Sequence, residues 1–278
     1  MKFKKLLATV TTMAVALCFS AGVCAKEYAP SYLQSASTSD AIDVIVTVEG
    51  NTSDTAFKAI EVSLDAKTGG NTQKVIDAMM EVQGGNNGIT FYESAGVPAT
   101  AATTYFTGVN TCFGSTDGGA YLGWCFRING GIPSESEGWG ASIASANITD
   151  GDVISFYLDD PSDATTSTRF TRASVSNIST GGLTVNVKES HQGIGGAPDY
   201  AWEITPFDKL SGVNVSIYSD VACTNLVSGP IETNALLGRA TFSGLNLTAG
   251  QTYYVSVDGN MSASPAYTSC ITAFTVTQ

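Results

Sequence analysis

Apolar and polar residues alternate along much of the chain after residue 41. The first two such runs are IDVIVTVEG at 42–50 and FKAIEVSLD at 57–65, and a short polar segment separates them. Side chains that change face at every residue are typical of β-strands. We therefore expect two strands joined by a turn at the start of the folded region.

One segment follows a helical period instead. In GGNTQKVIDAMMEVQGG, residues 69–85, Val75, Met79 and Val82 are spaced at i, i+4 and i+7 and would share one helix face. The two glycines that close the segment indicate the helix end. Four more alternating runs follow: GITFYES, TYFTGVN, YLGWCFRING and DVISFYLD. Two strands, a helix and further strands predict an α+β domain over residues 41–160.

The remainder of the chain shows strand patterns without a helical period. Residues 161–173, rich in Ser, Thr and Ala, lack any period and predict a linker. The runs in 174–278 are spaced as in a β-sandwich. Within LNLTAGQTYYVSV, residues 245–257, Tyr253 resembles the tyrosine corner of fibronectin type III and related immunoglobulin-like domains. The resemblance implies an all-β, immunoglobulin-like sandwich over 174–278.

The first 25 residues are interpreted as a secretory signal peptide. Lysines precede an apolar stretch from Leu6 to Phe19, and small residues around Ala25 suit cleavage. The stretch is short for a bilayer span, which needs about 20 residues. Lipidation at Cys24 is disfavoured, because the residues before it do not have a lipobox pattern. We expect a flexible segment at 26–40 and a mature protein that is secreted, or associated with the cell surface, without a membrane span.

Charge and cysteine content narrow the function further. The chain has 13 Lys and Arg against 25 Asp and Glu, a net charge of −12, which disfavours nucleic acid and anionic membranes as partners. Four cysteines remain after the signal, and an even number in an exported protein predicts disulfides. Of the three possible pairings, Cys112–Cys125 with Cys223–Cys270 keeps each bridge local. No C-x-x-C is present and the only histidine is distant, so a structural zinc is not expected.

The segment GWCFRINGG, residues 123–131, combines a strand pattern with a turn pattern. Alternation places its Trp, Phe and Ile on one face, predicted to be the core face, and Cys125 and Arg127 on the other. Asn129-Gly130 suits a tight turn. Downstream, ITDGDVISFYL predicts a second turn and a final strand. We therefore interpret Trp124 as a structural residue.

These two segments resemble the transcobalamin-like C-terminal domain of secreted bacterial proteins, a family known as a domain of unknown function. The matching residues are Gly123, Trp124, Phe126, Ile128, Asn129, Gly130, Gly151, Asp152 and Ile154. The resemblance extends over about 42–160 and implies a β-grasp-like fold. In the cobalamin carriers that share this fold, the corrinoid is clamped against a helical barrel. The sequence has no counterpart of that barrel, so cobalamin binding does not follow from the resemblance.

Candidate ligand contacts lie in a polar loop after this strand. Trp139 stands between two glycines, with Glu135 and Glu137 close by, and an aromatic residue in a loop on a rigid scaffold is a reasonable contact. Arg127 is the fourth candidate.

No catalytic motif was found. The lone His191 lies in a glycine-rich stretch without a nucleophile motif, and carboxylate pairs such as Glu135 and Glu137 are too common to indicate glycoside hydrolysis. We expect a noncatalytic protein without metal or cofactor. The favoured function is extracellular binding or adhesion towards an unidentified protein, glycan or small ligand. The alternatives are a carrier of a corrinoid or another small ligand, and an accessory module of an extracellular hydrolase system.

Overall fold

The computed structural model describes residues 41–64, 73–114, 123–133, 141–159, 167–191 and 206–277. Strands account for 49% of the structure and helices for 7%, in four small sheets and with a single α-helix among these residues. The prediction of an α+β, β-grasp-like domain was therefore wrong, and the described chain is mostly β. The helical period was interpreted correctly, but its ten residues form a minor element beside sixteen strands in the described segments.

The first sheet contains four strands from the first half of the chain. They are β1 (Ile42–Glu49), β2 (Lys58–Leu64), β7 (Gly123–Ile128) and β8 (Val153–Asp159), and their order in the sheet is β2-β1-β8-β7. β1 pairs with β8 in parallel, whereas β2 and β7 are antiparallel to their neighbours. A single turn of 3-10 helix, Ser53–Thr55, lies between β1 and β2. The two predicted turns lie at strand ends: Asn129-Gly130 follows β7, and the turn at Gly151 precedes β8.

One face of this sheet packs against helix α1 (Val75–Gly84) and a small second sheet. Side chains at alternate positions of β1, namely Val44, Val46 and Val48, are fully buried there, as the period of two requires. The helix ends at Gly84, as predicted, and the Lys74 backbone N–H donates to Asp77 Oδ2 at 2.8 Å at its start. This side of the sheet forms an apolar core.

The second sheet is a set of very short strands. They are β3 (Phe91–Ser94), β4 (Val97–Pro98), β5 (Gly108–Val109) and β6 (Cys112–Phe113), in the order β4-β3-β5-β6. The predicted strand TYFTGVN is thus only two residues long. Phe91 and Phe106 from this region pack edge-on to each other, with ring centroids 5.7 Å apart, in the core beside Phe156 of β8.

The second half of the chain forms two antiparallel sheets that share an apolar core. In one sheet β10 (Gly182–Ser190) pairs with β9 (Phe170–Ser179), β14 (Arg239–Ser243) and β11 (Asp208–Lys209). The other contains β12 (Asn214–Tyr218), β13 (Leu226–Glu232), β15 (Thr252–Val257) and β16 (Cys270–Thr275), in the order β13-β12-β15-β16. Residues from both sheets meet in one cluster of buried side chains. β9 begins inside the segment that the sequence predicted to be a linker, and β13 was missed.

Tyr253 lies where β15 begins and is part of this core. Its side chain is buried, and its Oη accepts a hydrogen bond from the Thr248 backbone N–H at 3.1 Å. A tyrosine corner makes a contact of this kind, from the phenol to the backbone a few residues upstream. The family resemblance that suggested the residue nevertheless stays a prediction.

A third apolar cluster joins the two halves of the molecule. Ile45 and Ala59, on the face of the first sheet that points away from α1, pack with Tyr254, Ile271 and Ala273 from β15 and β16. Sheet β2-β1-β8-β7 is therefore covered on both faces, by α1 on one side and by the second half of the chain on the other.

Candidate functional site

Most of the predicted ligand contacts lie outside the residues that the structure describes. Trp139, Glu135 and Glu137 all belong to the segment 134–140, between two described stretches. Their part in ligand binding stays a prediction. Arg127, the fourth candidate, is described, and its surroundings differ from those of a surface contact.

Arg127 is fully buried between the two halves of the molecule. Its Nε donates to Tyr157 Oη at 3.0 Å, and its Nη1 donates to Ser190 Oγ at 2.8 Å and to the Gly130 carbonyl at 3.3 Å. The guanidinium also lies 4.4 Å from the centroid of the Phe170 ring, a cation–π distance. Because Ser190 and Phe170 belong to the second half, Arg127 connects the halves and is not available at the surface.

The residues around Arg127 are polar but enclosed. Tyr157 is buried, and its burial raises the pKa of the phenol well above its usual value of 10.0. Asp159, also fully buried, accepts hydrogen bonds at Oδ1 from the Thr168 backbone N–H at 2.7 Å and from Ser167 Oγ at 3.3 Å. A buried polar group is stable only when such partners are present. The cluster is therefore an internal network that spans the junction.

Glu49 forms a second polar connection across the same junction. Its Oε2 accepts from the Ser269 backbone N–H at 2.6 Å, and its Oε1 accepts from Ser269 Oγ at 2.7 Å. Burial raises the pKa of this carboxyl group from 4.5 to about 7, with a smaller contribution from Asp258, while the hydrogen bonds from Ser269 oppose the change. Glu49 was not singled out from the sequence. The available signal was that apolar residues occupy both faces of β1, which indicates a strand covered on both sides.

The space between the halves is small. A crevice lined by Val153 and Ser155 from the first half and by Phe170, Cys270 and Ile271 from the second has a volume of about 20 Å³. That is room for about one water molecule.

The motif residues shared with the transcobalamin-like family come together around two turns. Asn129 and Gly130 have φ values of 51° and 78°, the left-handed conformation expected of this turn. Asn129 Nδ2 donates to Asp152 Oδ1 at 2.6 Å, and Asn129 Oδ1 accepts from the Val153 backbone N–H at 2.9 Å. Gly151, with φ 83°, donates its N–H to the Asp43 carbonyl at 2.8 Å. The turn residues therefore fix the ends of β7, β8 and β1.

Trp124, Phe126 and Ile128 face the core side of the first sheet, as predicted. Trp124 is buried and its Nε1 donates to the Cys112 carbonyl at 3.0 Å. Its ring packs 6.2 Å from that of Phe106, while Phe126 and Ile128 pack against the same core. Gly123, which begins β7, is also buried. These side chains form part of the apolar core.

The four cysteines of the described residues are free thiols in the structure, so neither predicted disulfide is present in it. Cys112 lies in the apolar core, whereas Cys125 lies on the opposite face of β7 and pairs with Tyr157. Cys270 belongs to the core of the second half, while Cys223 packs with the cluster at the junction. Burial raises the pKa of Cys223 to about 11 and also raises that of Cys270. The predicted disulfide pairing rested on distance along the chain, and that distance does not show on which face of a sheet a cysteine side chain lies.

Metal-ligand clusters and bilayer-spanning helices are both lacking in the described segments. No group of three or more His, Cys, Asp or Glu side chains there could hold a metal ion. Nor does that part of the chain contain a helix of the length and apolar character that a bilayer crossing requires.

Comparison with known proteins gives no further identification. No family model, no curated protein and no solved structure matches the chain. The transcobalamin-like and immunoglobulin-like resemblances therefore rest on the sequence motifs alone.

Proposed function

We propose that the chain is an exported, noncatalytic protein that binds or adheres to an extracellular ligand. The observation that carries this proposal is the set of large apolar side chains exposed on strand edges and loops of a β scaffold. They include Val97, Tyr105, Leu226, Val227, Leu236 and Leu237, from 40% to 75% exposed. Neighbouring exposed apolar side chains mark interaction sites, whereas single ones are normal on a surface. Leu226 with Val227 and Leu236 with Leu237 are such neighbours along the chain.

The enclosed polar groups support a noncatalytic role. Glu49, Arg127 and Tyr157 are each at most 7% exposed, and all three lie at the junction between the halves. A catalytic group must reach a substrate, whereas Glu49 and Arg127 each have a hydrogen-bond partner from the second half. We interpret them as structural.

The alternative of a corrinoid or other small-ligand carrier gains no support from the junction. The crevice described there has room for about one water molecule. An accessory role beside a hydrolase rests only on scattered carboxylates, and it stays an alternative.

The proposal is tested by probing arrays of glycans and extracellular proteins with the chain that begins at Lys26. Trp139→Ala is the informative variant, because loss of a loop aromatic at a binding hot spot costs about 2 kcal/mol or more in affinity. Tyr218→Ala, which removes a partly buried aromatic ring from β12, is the matched control. Specific binding that Trp139→Ala weakens and Tyr218→Ala leaves intact supports the proposal. Absence of binding to every probe contradicts it.

A further inference from the structure

Positive charge is concentrated on one face of the second half of this acidic protein. On the sheet centred on β10, Lys188 is directly opposite Arg172 of β9 and also opposite Lys209 of β11. Residues directly opposite in antiparallel strands lie on the same side of a sheet. Arg239 of β14 is opposite Asn186, two residues before Lys188, and therefore shares that side. We call Arg172, Lys188, Lys209 and Arg239 the cationic face.

The cationic face points away from the apolar core of the second half, although Phe170 and Ser190, two positions further along the same side, are buried against Arg127. Its neighbours along β10, Val185 and Val187, are fully buried between the two sheets, so Asn186 and Lys188 point outward. Lys209 and Arg239 are exposed, whereas Lys188 and Arg172 are half-buried, and the Arg172 guanidinium lies 3.6 Å from the centroid of the Phe207 ring. The strand positions that share this side carry no Asp or Glu within the described residues of β9, β10, β11 and β14. Like charges directly opposite each other destabilise a sheet, so this arrangement does not serve stability.

Two exposed leucines adjoin the cationic face. Leu236 and Leu237, 75% and 48% exposed, lie in the loop between β13 and β14. We call this pair the leucine tip. Lys209 Nζ donates to the Leu236 carbonyl at 2.8 Å, which places the tip beside the outward side of β11.

The loop that carries the leucine tip is held in one conformation. Asn234 Oδ1 accepts from the Leu237 N–H at 2.8 Å, and the Asn234 carbonyl accepts from the Gly238 N–H at 3.0 Å. Gly238 has φ 63°, and a side chain there would meet the backbone of Val187 and Leu210 at less than 3 Å. The backbone is thus fixed while two apolar side chains project into water.

We propose that the cationic face and the leucine tip form a docking surface for an anionic lipid bilayer. The cations match the negative charge of lipid headgroups, and the leucines supply apolar area for the region below the headgroups. A soluble polyanion would use the cations and leave the leucines without a function. This inference deepens the proposed binding function and rests on it.

The acidic net charge of the chain predicts repulsion from such a bilayer, and the local arrangement changes that expectation. At physiological ionic strength charges more than about 8 Å away are largely screened. The headgroups would therefore respond to the cationic face that touches them and only weakly to the acidic remainder of the surface.

The test is sedimentation of the chain from Lys26 onward with vesicles of phosphatidylcholine alone and of phosphatidylcholine mixed with phosphatidylglycerol. We expect binding to the mixed vesicles only, and less of it at higher salt. Lys188→Gln and Lys209→Gln should each weaken it about fivefold. Leu236→Ser with Leu237→Ser should weaken it about tenfold or more. The matched control is Lys58→Gln in the first half, which should bind as the parent does.

Thermal melts separate binding effects from folding effects. Lys188→Gln should melt no lower than the parent, because it relieves repulsion across the sheet. Lys209→Gln also removes the hydrogen bond to the Leu236 carbonyl, so Lys188→Gln is the cleaner variant. Equal binding to both vesicle types overturns the proposal. So does a leucine-tip variant that binds the vesicles as the parent does while the lysine variants weaken, because charge alone would then account for binding, as it would for any polyanion. If the chain binds an array ligand but no vesicles, only the lipid inference is wrong. If it binds neither, the proposed binding function is wrong as well.

Discussion

The two faces of the first sheet are buried in different ways. Towards α1, β1 and β8 present a continuous apolar surface: Val44, Val46, Val48, Ile154, Phe156 and Leu158. Towards the second half, the same strands and β7 present mainly polar groups: Thr47, Glu49, Arg127, Ser155, Tyr157 and Asp159. Only Ile45, Val153 and a few neighbours are apolar there. A sheet can therefore be buried on both sides without having two equivalent cores, because hydrogen bonds replace apolar packing on the second side.

The difference bears on how each side tolerates change. Apolar packing is lost in proportion to the side chain removed, whereas a polar junction depends on each donor keeping its acceptor. Interfaces between domains of one chain are commonly more polar than cores. Substitutions on the two faces should therefore differ in cost and in their dependence on pH.

The largest effect is expected from Trp124→Ala on the apolar face. Removing a buried Trp side chain leaves a cavity and should lower the free energy of unfolding by about 3–5 kcal/mol. Urea denaturation of the chain from Lys26 onward measures it. A change below about 1 kcal/mol would show that the core around Phe106 does not depend on this ring.

Glu49, on the polar face, should make the free energy of unfolding change by about 3 kcal/mol with pH. Its pKa rises from 4.5 to about 7 on folding, so between these values the folded protein holds a proton that the unfolded chain releases. The stability that this proton contributes is fully present below pH 4.5 and is lost as the pH rises towards 7. Urea denaturation at several pH values measures this loss.

Glu49→Gln supplies the control, because glutamine keeps an oxygen for the Ser269 N–H and cannot ionise. The difference in stability between the parent and this variant should change with pH over that range. Glu61 and Asp150, which also have raised pKa values, remain in both proteins and cancel in the comparison, whereas Asp258 interacts with Glu49 and its titration is part of the measured difference. A difference that is constant with pH would rule out Glu49 as the titrating group.

Arg127→Met should lower the free energy of unfolding by a smaller amount, about 1–2 kcal/mol. The variant leaves Tyr157 and Ser190 without their donor but also removes a buried charge, and replacement of buried ionic groups by apolar ones is often close to neutral. Urea denaturation beside Trp124→Ala compares the two faces directly. If Arg127→Met costs as much as Trp124→Ala, the junction is as sensitive as the core and the contrast between the faces fails.

The smallest effect on thermal stability is expected from treating the protein with a reducing agent. With Cys112 and Cys125 on opposite faces of β7, a reducing agent should leave the melting temperature unchanged, and nonreducing peptide mapping should find free thiols. Bridged peptides would instead restore the pairing that the sequence predicted. A bridge from Cys112 or Cys125 to Cys223 or Cys270 would tie the two halves together.

The sequence predicted local structure well and long-range arrangement poorly. Val75, Met79 and Val82 repeat every turn, so α1 could be located, and the glycines that follow indicated where it ends. Trp124 could be assigned to the core because alternation is a property of neighbouring residues.

Contacts between residues far apart in the chain produce no comparable pattern in the sequence. Glu49 and Arg127 could not be assigned, since their partners Ser269 and Ser190 are remote in sequence and nothing local distinguishes them from surface charges. The fold class was misjudged because short strands such as β5, of two residues, have no period to detect.

The parallel pairing of β1 with β8 has a consequence for the order in which the chain can fold. β1 is made first, yet one of its two neighbours in the sheet begins only at Val153, and Glu49 finds Ser269 across 220 residues. The chain must first lose the entropy of closing loops of this length, and only then can the stabilising contacts form. This order slows folding. During synthesis, the edge of β1 that later joins β8 must remain unpaired until the chain has been made as far as Val153. That interval is when the apolar strand IDVIVTVE is most exposed to aggregation.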